Sequence, residues 1–475
     1  MKVLLIYPCL KYSALGYAPQ QIIASEAGFY PALGLLYIAG YLEKYASCEV
    51  EILDSVTEEL NYKELKSRIE ESKPDIVGIY FSTFYLYDSI LTARIVKKVN
   101  PEIFTVAGGP HVYLYPYETI DLPGIDYVVF GEGEIVFKEL VESLDKKDKA
   151  NEIPGVLTKT NRNRINLVKQ RIPDLDQLPF PARHLSPYRK YSSILAKRNP
   201  ITTFMSSRGC PYNCYFCNNL ESGQKVRFRS PKNVVDELES CIILGIYDIF
   251  FFDELFTLNR KRVIDICDEI ISRSLPIRWH IRSRADTIDE GMVRKLKKAG
   301  CRLIQFGIES GSSHIQKVIN KQLSLEQVQK NIKIVRDNGI LTYADFMFGL
   351  PEESNEEMKQ TVEFAKKLNL DYAWFSPFNT IPETEFYRRG LDTKKIKFDY
   401  WKRYVENVPE PIQQYWWPDF NYEDLTNFLG YAFRSFYLRP KYIWHKLLRT
   451  DSLSQLIWQA KAGIKAVGKL LLKCR

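Results

Sequence analysis

The chain has 475 residues, 45% hydrophobic and 26% charged, which is too long for one ordinary domain and too apolar for a disordered one. Two or three domains are expected. The formal net charge of +8 is modest for this length and by itself points to neither nucleic acid nor a membrane.

Met1 is followed at once by a short strand-like run, Lys2–Tyr7, too brief for a signal-peptide core and without a cleavage site. No stretch reaches the ~18 uninterrupted apolar residues of a membrane span. Nine cysteines is an odd count, and Cys9, Cys48, Cys241, Cys267, Cys301 and Cys474 stand singly. That is no disulfide framework, and a reducing, cytoplasmic home is expected.

Residues 1–145 alternate β-rich runs (Val3–Tyr7, Val50–Leu53, Ile76–Phe81, Ile103–Ala107, Tyr127–Phe130) with helical stretches (Leu33–Tyr45, Tyr62–Glu71, Tyr87–Val99, Glu134–Leu144). Buried parallel strands read as unbroken apolar runs and need crossover helices, so an α/β, doubly wound, Rossmann-like domain is predicted. Ligands of such sheets sit beyond the carboxyl ends of the strands. Gly108-Gly109-Pro110-His111 and Gly131-Glu132-Gly133-Glu134 fall there. Residues 146–199 break the rhythm with Pro173, Pro179, Pro181 and Pro187, and predict an irregular linker.

A second alternating series follows, over 200–420. Strands are predicted at Ile201–Met205, Asp248–Phe252, Arg278–Arg282, Leu303–Ile308, Thr342–Phe348 and Tyr372–Phe378. The helices between them are Pro231–Leu244, Arg260–Arg273, Glu290–Ala299, Leu325–Asn338 and Ser354–Leu368. Such a succession predicts a full or partial parallel barrel with its chemistry at the carboxyl ends of the strands.

Directly after its first strand stands Cys210-Pro-Tyr-Asn-Cys214-Tyr-Phe-Cys217. Three thiolates on one loop can each bind one iron of a cubane and leave the fourth iron open. Zinc is the rival, but it wants a fourth ligand, and no His or Cys follows at finger spacing.

Cys-x3-Cys-x2-Cys with Phe216 before the last cysteine, on a loop after the first barrel strand, resembles the radical S-adenosylmethionine (SAM) superfamily. That resemblance implies a [4Fe-4S] cluster on Cys210, Cys214 and Cys217. It also implies SAM on the open iron, cleaved by an electron from the cluster to a 5'-deoxyadenosyl radical. The strand ends resemble the family's SAM-binding segments. Asp253 and Glu254 are expected to receive the SAM ammonium. Arg282 and Arg284 are placed to pair with its carboxylate. Glu309, in Gly307-Ile308-Glu309-Ser310-Gly311, and Gly349-Leu350-Pro351-Glu352-Glu353 also look like SAM contacts. Phe216 is expected near the adenine. The alternative for each of these charges is an ion pair that merely holds a loop. The sixth segment, Ile381-Pro382-Glu383-Thr384, departs from the family pattern, with Glu383 where a glycine is usual. No side chain is assigned a catalytic role.

The first domain resembles the cobalamin-binding domain that precedes the barrel in one subgroup, which includes C-methylases, hopanoid-pathway enzymes and a porphyrin cyclase. The resemblance rests on Pro31–Tyr37, Val50–Asp54, Gly108–His111 and Gly131–Glu134. It implies cobalamin near Gly108, Gly109, His111, Gly131 and Gly133. The stretch Cys9–Ser13 carries no histidine where many cobalamin domains have their cobalt ligand. His111 is left either as a ligand or, as preferred, packing near the nucleotide tail or a phosphate. A domain that keeps the fold without the cofactor is the alternative.

From Tyr431 onward ten Lys or Arg face one acid, Asp451. Leu453, Leu456, Ile457, Ala460, Ile464, Val467 and Leu471 recur at helical spacing with lysines off the stripe. This basic helical extension, 421–475, either packs on the barrel or lies on an anionic membrane at its inner face.

The resulting expectation is a SAM- and cobalamin-dependent radical enzyme that modifies, and most simply C-methylates, an unactivated carbon of a small molecule or lipid such as an isoprenoid. An electron donor such as flavodoxin or ferredoxin is implied, and no nucleic acid. A cyclase, rearrangement or C–C bond-forming enzyme without methyl transfer is the alternative. A non-catalytic cobalamin or iron–sulfur sensor is a rival of another class.

Overall fold

The structure is a computed structural model and describes residues 1–12, 28–148, 150–162, 171–218, 225–399, 401–402 and 417–449. The stripe Leu453–Leu471 lies outside the described residues.

Two compact units form, one chiefly from Met1–Ser193 and the other chiefly from Thr203–Phe398 with the C-terminal helices. In the first, β1 (Lys2–Tyr7), α1 (Leu33–Tyr45), β2 (Glu49–Asp54), α2 (Tyr62–Ser72), β3 (Ile76–Tyr80), α3 (Leu86–Val99) and β4 (Phe104–Gly108) follow in turn. Next come α4 (Pro110–Leu114), α5 (Pro116–Asp121), β5 (Tyr127–Val129), α6 (Gly133–Asp145) and β6 (Val156–Leu157). The sheet order is β2-β1-β3-β4-β5-β6. β1 pairs in parallel with β2 on one side and β3 on the other, so the winding reverses there, the point at which such sheets generally take their ligands. Alternation along the strands sorts two cores. Leu4, Ile6, Val77 and Ile79 pack with Leu65, Ile69 and Ile90 of α2 and α3. Val3, Leu5 and Ile76 pack with Leu35, Leu42 and Leu140 of α1 and α6.

The segment expected as a linker is bound into this unit. β6 adds antiparallel to β5. The Ala182 amide donates to the Leu36 carbonyl (2.9 Å), and the Tyr191 hydroxyl donates to Asp54 (2.9 Å). Gly40 of α1 makes this possible, because a Cβ there would stand 2.4 Å from the Phe180 carbonyl oxygen. Its prolines prevent regular structure without preventing packing.

The second unit begins with β7 (Ile201–Phe204), β8 (Ser207–Arg208), β9 (Arg227–Phe228), α7 (Pro231–Ile243), β10 (Asp248–Phe251), α8 (Arg260–Ser272) and β11 (Arg278–Ser283). It continues with α9 (Glu290–Lys298), β12 (Cys301–Glu309), α10 (Ser313–Val318), α11 (Leu325–Asp337), β13 (Leu341–Phe348), α12 (Asn355–Lys367) and β14 (Tyr372–Pro377). α13 (Glu385–Asp392), α14 (Tyr422–Tyr437) and α15 (Pro440–Arg449) close the described chain. The main sheet runs β14-β13-β12-β11-β10-β7, which is chain order and describes a partial (β/α)6 barrel. Its edge strand β14 is covered. The Tyr437 hydroxyl accepts from the Ala373 amide (3.0 Å) and donates to its carbonyl (2.7 Å), and the Tyr442 hydroxyl donates to the Asp371 carbonyl (2.9 Å). Open backbone groups on an edge strand otherwise invite pairing with another chain. No helix among the described residues is long and apolar enough to cross a membrane.

Candidate functional site: a three-cysteine loop at the barrel mouth

The loop that carries Cys210, Cys214 and Cys217 leaves the barrel after β7 and is gripped at both ends. At its base, Asp253 is fully buried and accepts from the Ser206 amide (3.1 Å), the Ser206 hydroxyl (2.8 Å) and the Ser207 hydroxyl. Arg229 donates to the Met205 carbonyl (2.9 Å) and Arg262 to that of Ser206 (2.7 Å). Arg229 is neutralised by buried Glu237 at 2.5 Å. At its crown, the Tyr215 amide donates to the Ile319 carbonyl (3.0 Å) and the Phe386 amide to the Tyr215 carbonyl (3.2 Å). The loop is a fixed platform.

None of the three cysteines forms a disulfide; Cys210 and Cys214 are half-buried and Cys217 is exposed. Burial pushes the Cys210 and Cys214 thiols up, while Lys321 and Arg284 pull both back toward the thiolate. Among the described residues no three His, Cys, Asp or Glu side chains converge on one point as a single ion requires. A cubane asks for something else, one thiolate on each of three irons. Three thiols on one anchored loop beside two cations fit that demand.

The expected SAM residues divide. Glu309, the last residue of β12, is nearly buried and adopts a left-handed backbone (φ 69°). Its carboxylate pairs with Lys321 at 2.7 Å. Arg284 stacks on the Tyr212 ring (3.8 Å) and pairs with Asp286 (2.8 Å), and it donates to the Lys321 carbonyl (3.0 Å). The Lys321 ammonium stands 5.6 Å over the Phe216 ring. Lys321 thus ties together Phe216, Arg284 and Glu309. Sequence reasoning missed it, because a lysine in the polar turn after α10 reads as solvated. Asp253 spends its carboxylate on the loop base, whereas Glu254 beside it is exposed. Arg282 is exposed and lies over the Phe252 ring at 4.1 Å. Glu353 folds back on the Gly349 and Leu350 amides (2.8 and 3.1 Å). Glu383, where the family pattern has glycine, takes a left-handed conformation at φ 62°. That is a conformation glycine adopts without strain.

In the first unit the glycine turns lie at the carboxyl ends of β4 and β5. Gly109 has φ 111°, and a Cβ there would stand 2.7 Å from the Phe81 carbonyl oxygen. A Cβ on Gly108 would meet no atom of the described residues within 4 Å, so among them the strand end borders open space. Gly131 has φ 95°, and Gly133 starts α6 close to Ile38. His111 is fully buried; its Nδ1 meets the Thr83 hydroxyl at 3.1 Å and its Nε2 has no hydrogen-bond partner among the described residues. Burial pushes its pKa down to about 3, so the ring is neutral. The loop after β1 is pinned by buried Asp88, which accepts from the Lys11 and Tyr12 amides (3.1 and 3.0 Å). Cys9 there is buried and pushed up to about 11, an inert thiol. Among the described residues, space beside the backbone at the strand ends, with an imidazole nitrogen close by in the chain that has no partner there, fits a large polar cofactor such as cobalamin.

Comparison with known proteins agrees. Residues 204–365 match the radical SAM superfamily and residues 20–141 the B12 binding domain. An uncharacterised methyltransferase of Pyrococcus horikoshii is 36% identical over 445 residues, covering 93% of each chain. The anaerobic magnesium-protoporphyrin IX monomethyl ester cyclase of Rubrivivax gelatinosus is 33% identical over 86% of this chain and 74% of its own. The solved radical SAM methyltransferase TsrM of Kitasatospora setae, with cobalamin and a [4Fe-4S] cluster bound, shares the fold (TM-score 0.66, 20% identity, 83% of this chain and 75% of that one).

Proposed function

The chain belongs to the cobalamin-binding radical SAM family, and from that premise we propose that it C-methylates an unactivated carbon of a small molecule. The observation that carries the reading is the anchored three-cysteine loop at the mouth of a partial barrel, in a chain that runs alongside a methyltransferase over 93% of both lengths. A [4Fe-4S] cluster, SAM and cobalamin are its cofactors. When bound, they supply the electron that cleaves SAM to a radical and the route by which a methyl group is carried.

The protein's own residues hold and orient. Cys210, Cys214 and Cys217 each take one iron. Glu309 and Arg284 are set to meet the charged ends of SAM, with Glu254 and Arg282 exposed beside them and Phe216 packing near the adenine. Lys321 pairs with the Glu309 carboxylate at 2.7 Å in a nearly buried position and so holds it in place. Gly108, Gly109, Gly131 and Gly133 let backbone approach cobalamin, and neutral His111 offers Nε2. A flavodoxin- or ferredoxin-like protein is the proposed electron donor. The basic C-terminal segment is proposed to touch anionic lipid; loss of liposome binding on deletion after Tyr431 supports this, and unchanged binding contradicts it.

The test is a product balance on the reconstituted protein with cobalamin, reductant, SAM and candidate acceptors. Methyl transfer yields S-adenosylhomocysteine together with 5'-deoxyadenosine. 5'-Deoxyadenosine without matching S-adenosylhomocysteine would favour cyclisation or rearrangement, the reading supported by the cyclase relative. A sensor would yield neither.

A further inference from the structure

The two faces of β12–β14 differ. Phe346, Phe348 and Phe375 are at most 1% exposed, and the last two pack on Phe428 and Phe433 of α14. The residues that alternate with them, Tyr343, Asp345 and Met347 on β13 and Gln305 on β12, retain partial exposure. An ordinary parallel barrel fills its interior with side chains. This one leaves its inner wall accessible.

Asp345 stands on that wall. It pairs in register with Gly307, which covers nothing, and lies two residues before Met347, which packs in the cluster that also holds Phe216. Gln305 donates to one of its oxygens at 2.7 Å. Among the described residues its other oxygen has no hydrogen-bond partner. Burial and the nearby Glu309 push its pKa up to about 7, while Gln305, Arg282 and Lys321 oppose that rise. A carboxyl group in such a place is costly unless something pairs with it. Glu309 is at the end of its strand and already matched to Lys321, whereas Asp345 is further inside and half-satisfied.

We infer that Asp345, oriented by Gln305, is a substrate-recognising residue that accepts a hydrogen bond from a hydroxyl or amine of the molecule entering the barrel. Tyr343 and Met347 offer the apolar wall beside it. The inference rests on the reading of the barrel interior as the reaction chamber.

The experiment uses the full-length reconstituted protein and three matched probes, cyclohexanol, cyclohexylamine and cyclohexanecarboxylate, followed by saturation-transfer NMR. The alcohol and amine should bind and the carboxylate should not. Asp345→Leu should weaken both by at least about tenfold, and Asp345→Asn should spare the alcohol more than the amine. Circular dichroism checks that each variant is folded. Unaltered probe binding in folded Asp345→Leu, or no probe binding by the parent, overturns the assignment. So does loss of SAM in equilibrium dialysis with Asp345→Asn, which would move the residue to the SAM site. Probe binding is read without turnover, so a parent that binds probes but cleaves no SAM fails the proposed function and not this site.

Discussion

The Lys321 ammonium lies 2.7 Å from the Glu309 carboxylate, in a space that exists because residue 307 is glycine. A Cβ on Gly307 would stand 2.7 Å from the Glu309 oxygen and 2.8 Å from the Lys321 nitrogen. Both partners are no more than 10% exposed, so removing one leaves the other buried without its partner. Lys321→Met should therefore cost about 3 kcal/mol of stability, and adding Glu309→Gln should recover part of it. Denaturant midpoints of the three proteins read this; equal midpoints for parent and Lys321→Met would remove the pair from the account.

Each loop cysteine is expected to be indispensable for the cluster and dispensable for the fold. Replacing Cys210, Cys214 or Cys217 with alanine should abolish retained iron and the cluster absorbance band, with far-UV circular dichroism unchanged. By contrast Cys241→Ala, deep in α7, should keep its iron. Normal iron in any of the three loop variants would contradict the assignment.

Asp253 acts on the same loop from below. Asp253→Asn keeps the shape and loses the charge that draws in Ser206 and Ser207, and it should cost about 2 kcal/mol. Iron uptake in reconstitution should fall, while Asp253→Glu should not restore it, because the buried site has no room for a longer chain. Full iron uptake by Asp253→Asn would show that the loop holds its shape alone.

Two buried groups predict opposite pH slopes. Burial pushes Glu353 up from the usual 4.5 to about 8, against the Leu350 and Gly349 amides. The folded protein therefore binds a proton that the unfolded chain has released between those values, so stability falls as pH rises from about 4.5 to 8. Burial pushes His111 down to about 3, so the unfolded chain binds a proton that the folded one refuses, and stability falls as pH drops from about 6.5 toward 3. Glu353→Gln should flatten the alkaline side and His111→Phe the acid side of a stability–pH curve. Slopes unchanged in both variants would refute the buried-group account.

Glu383 holds a glycine's backbone conformation without being glycine. Glu383→Gly should raise stability by about 0.5–1 kcal/mol, the relief of the left-handed conformation less the added freedom of the unfolded chain. Thermal unfolding of the pair checks the sign.

The strands and helices were legible because buried parallel strands write themselves as apolar runs. The predicted Thr342–Phe348 and Tyr372–Phe378 differ from β13 and β14 by a residue at one end. The cysteine loop was legible because the three cysteines proposed as cluster ligands are neighbours in sequence. Lys321 was not, since what sets it apart is a contact with Glu309, twelve residues away, and with Phe216 on another loop. The linker expected over 146–199 rested on prolines that signal irregular backbone, and irregular backbone can still pack, as Ala182 and Tyr191 do against the first unit. Asp253 and Glu254 read alike in sequence; only the pleat decides that one faces the Ser206 amide and the other solvent.

The central claim is that Cys210, Cys214 and Cys217 hold a cluster whose open iron takes SAM. Electron paramagnetic resonance of the anaerobically reconstituted, reduced protein, with and without SAM, tests it most directly. The account predicts a [4Fe-4S]+ signal that changes shape when SAM is added and is missing from the cysteine variants. No cluster signal, or one indifferent to SAM, would contradict it.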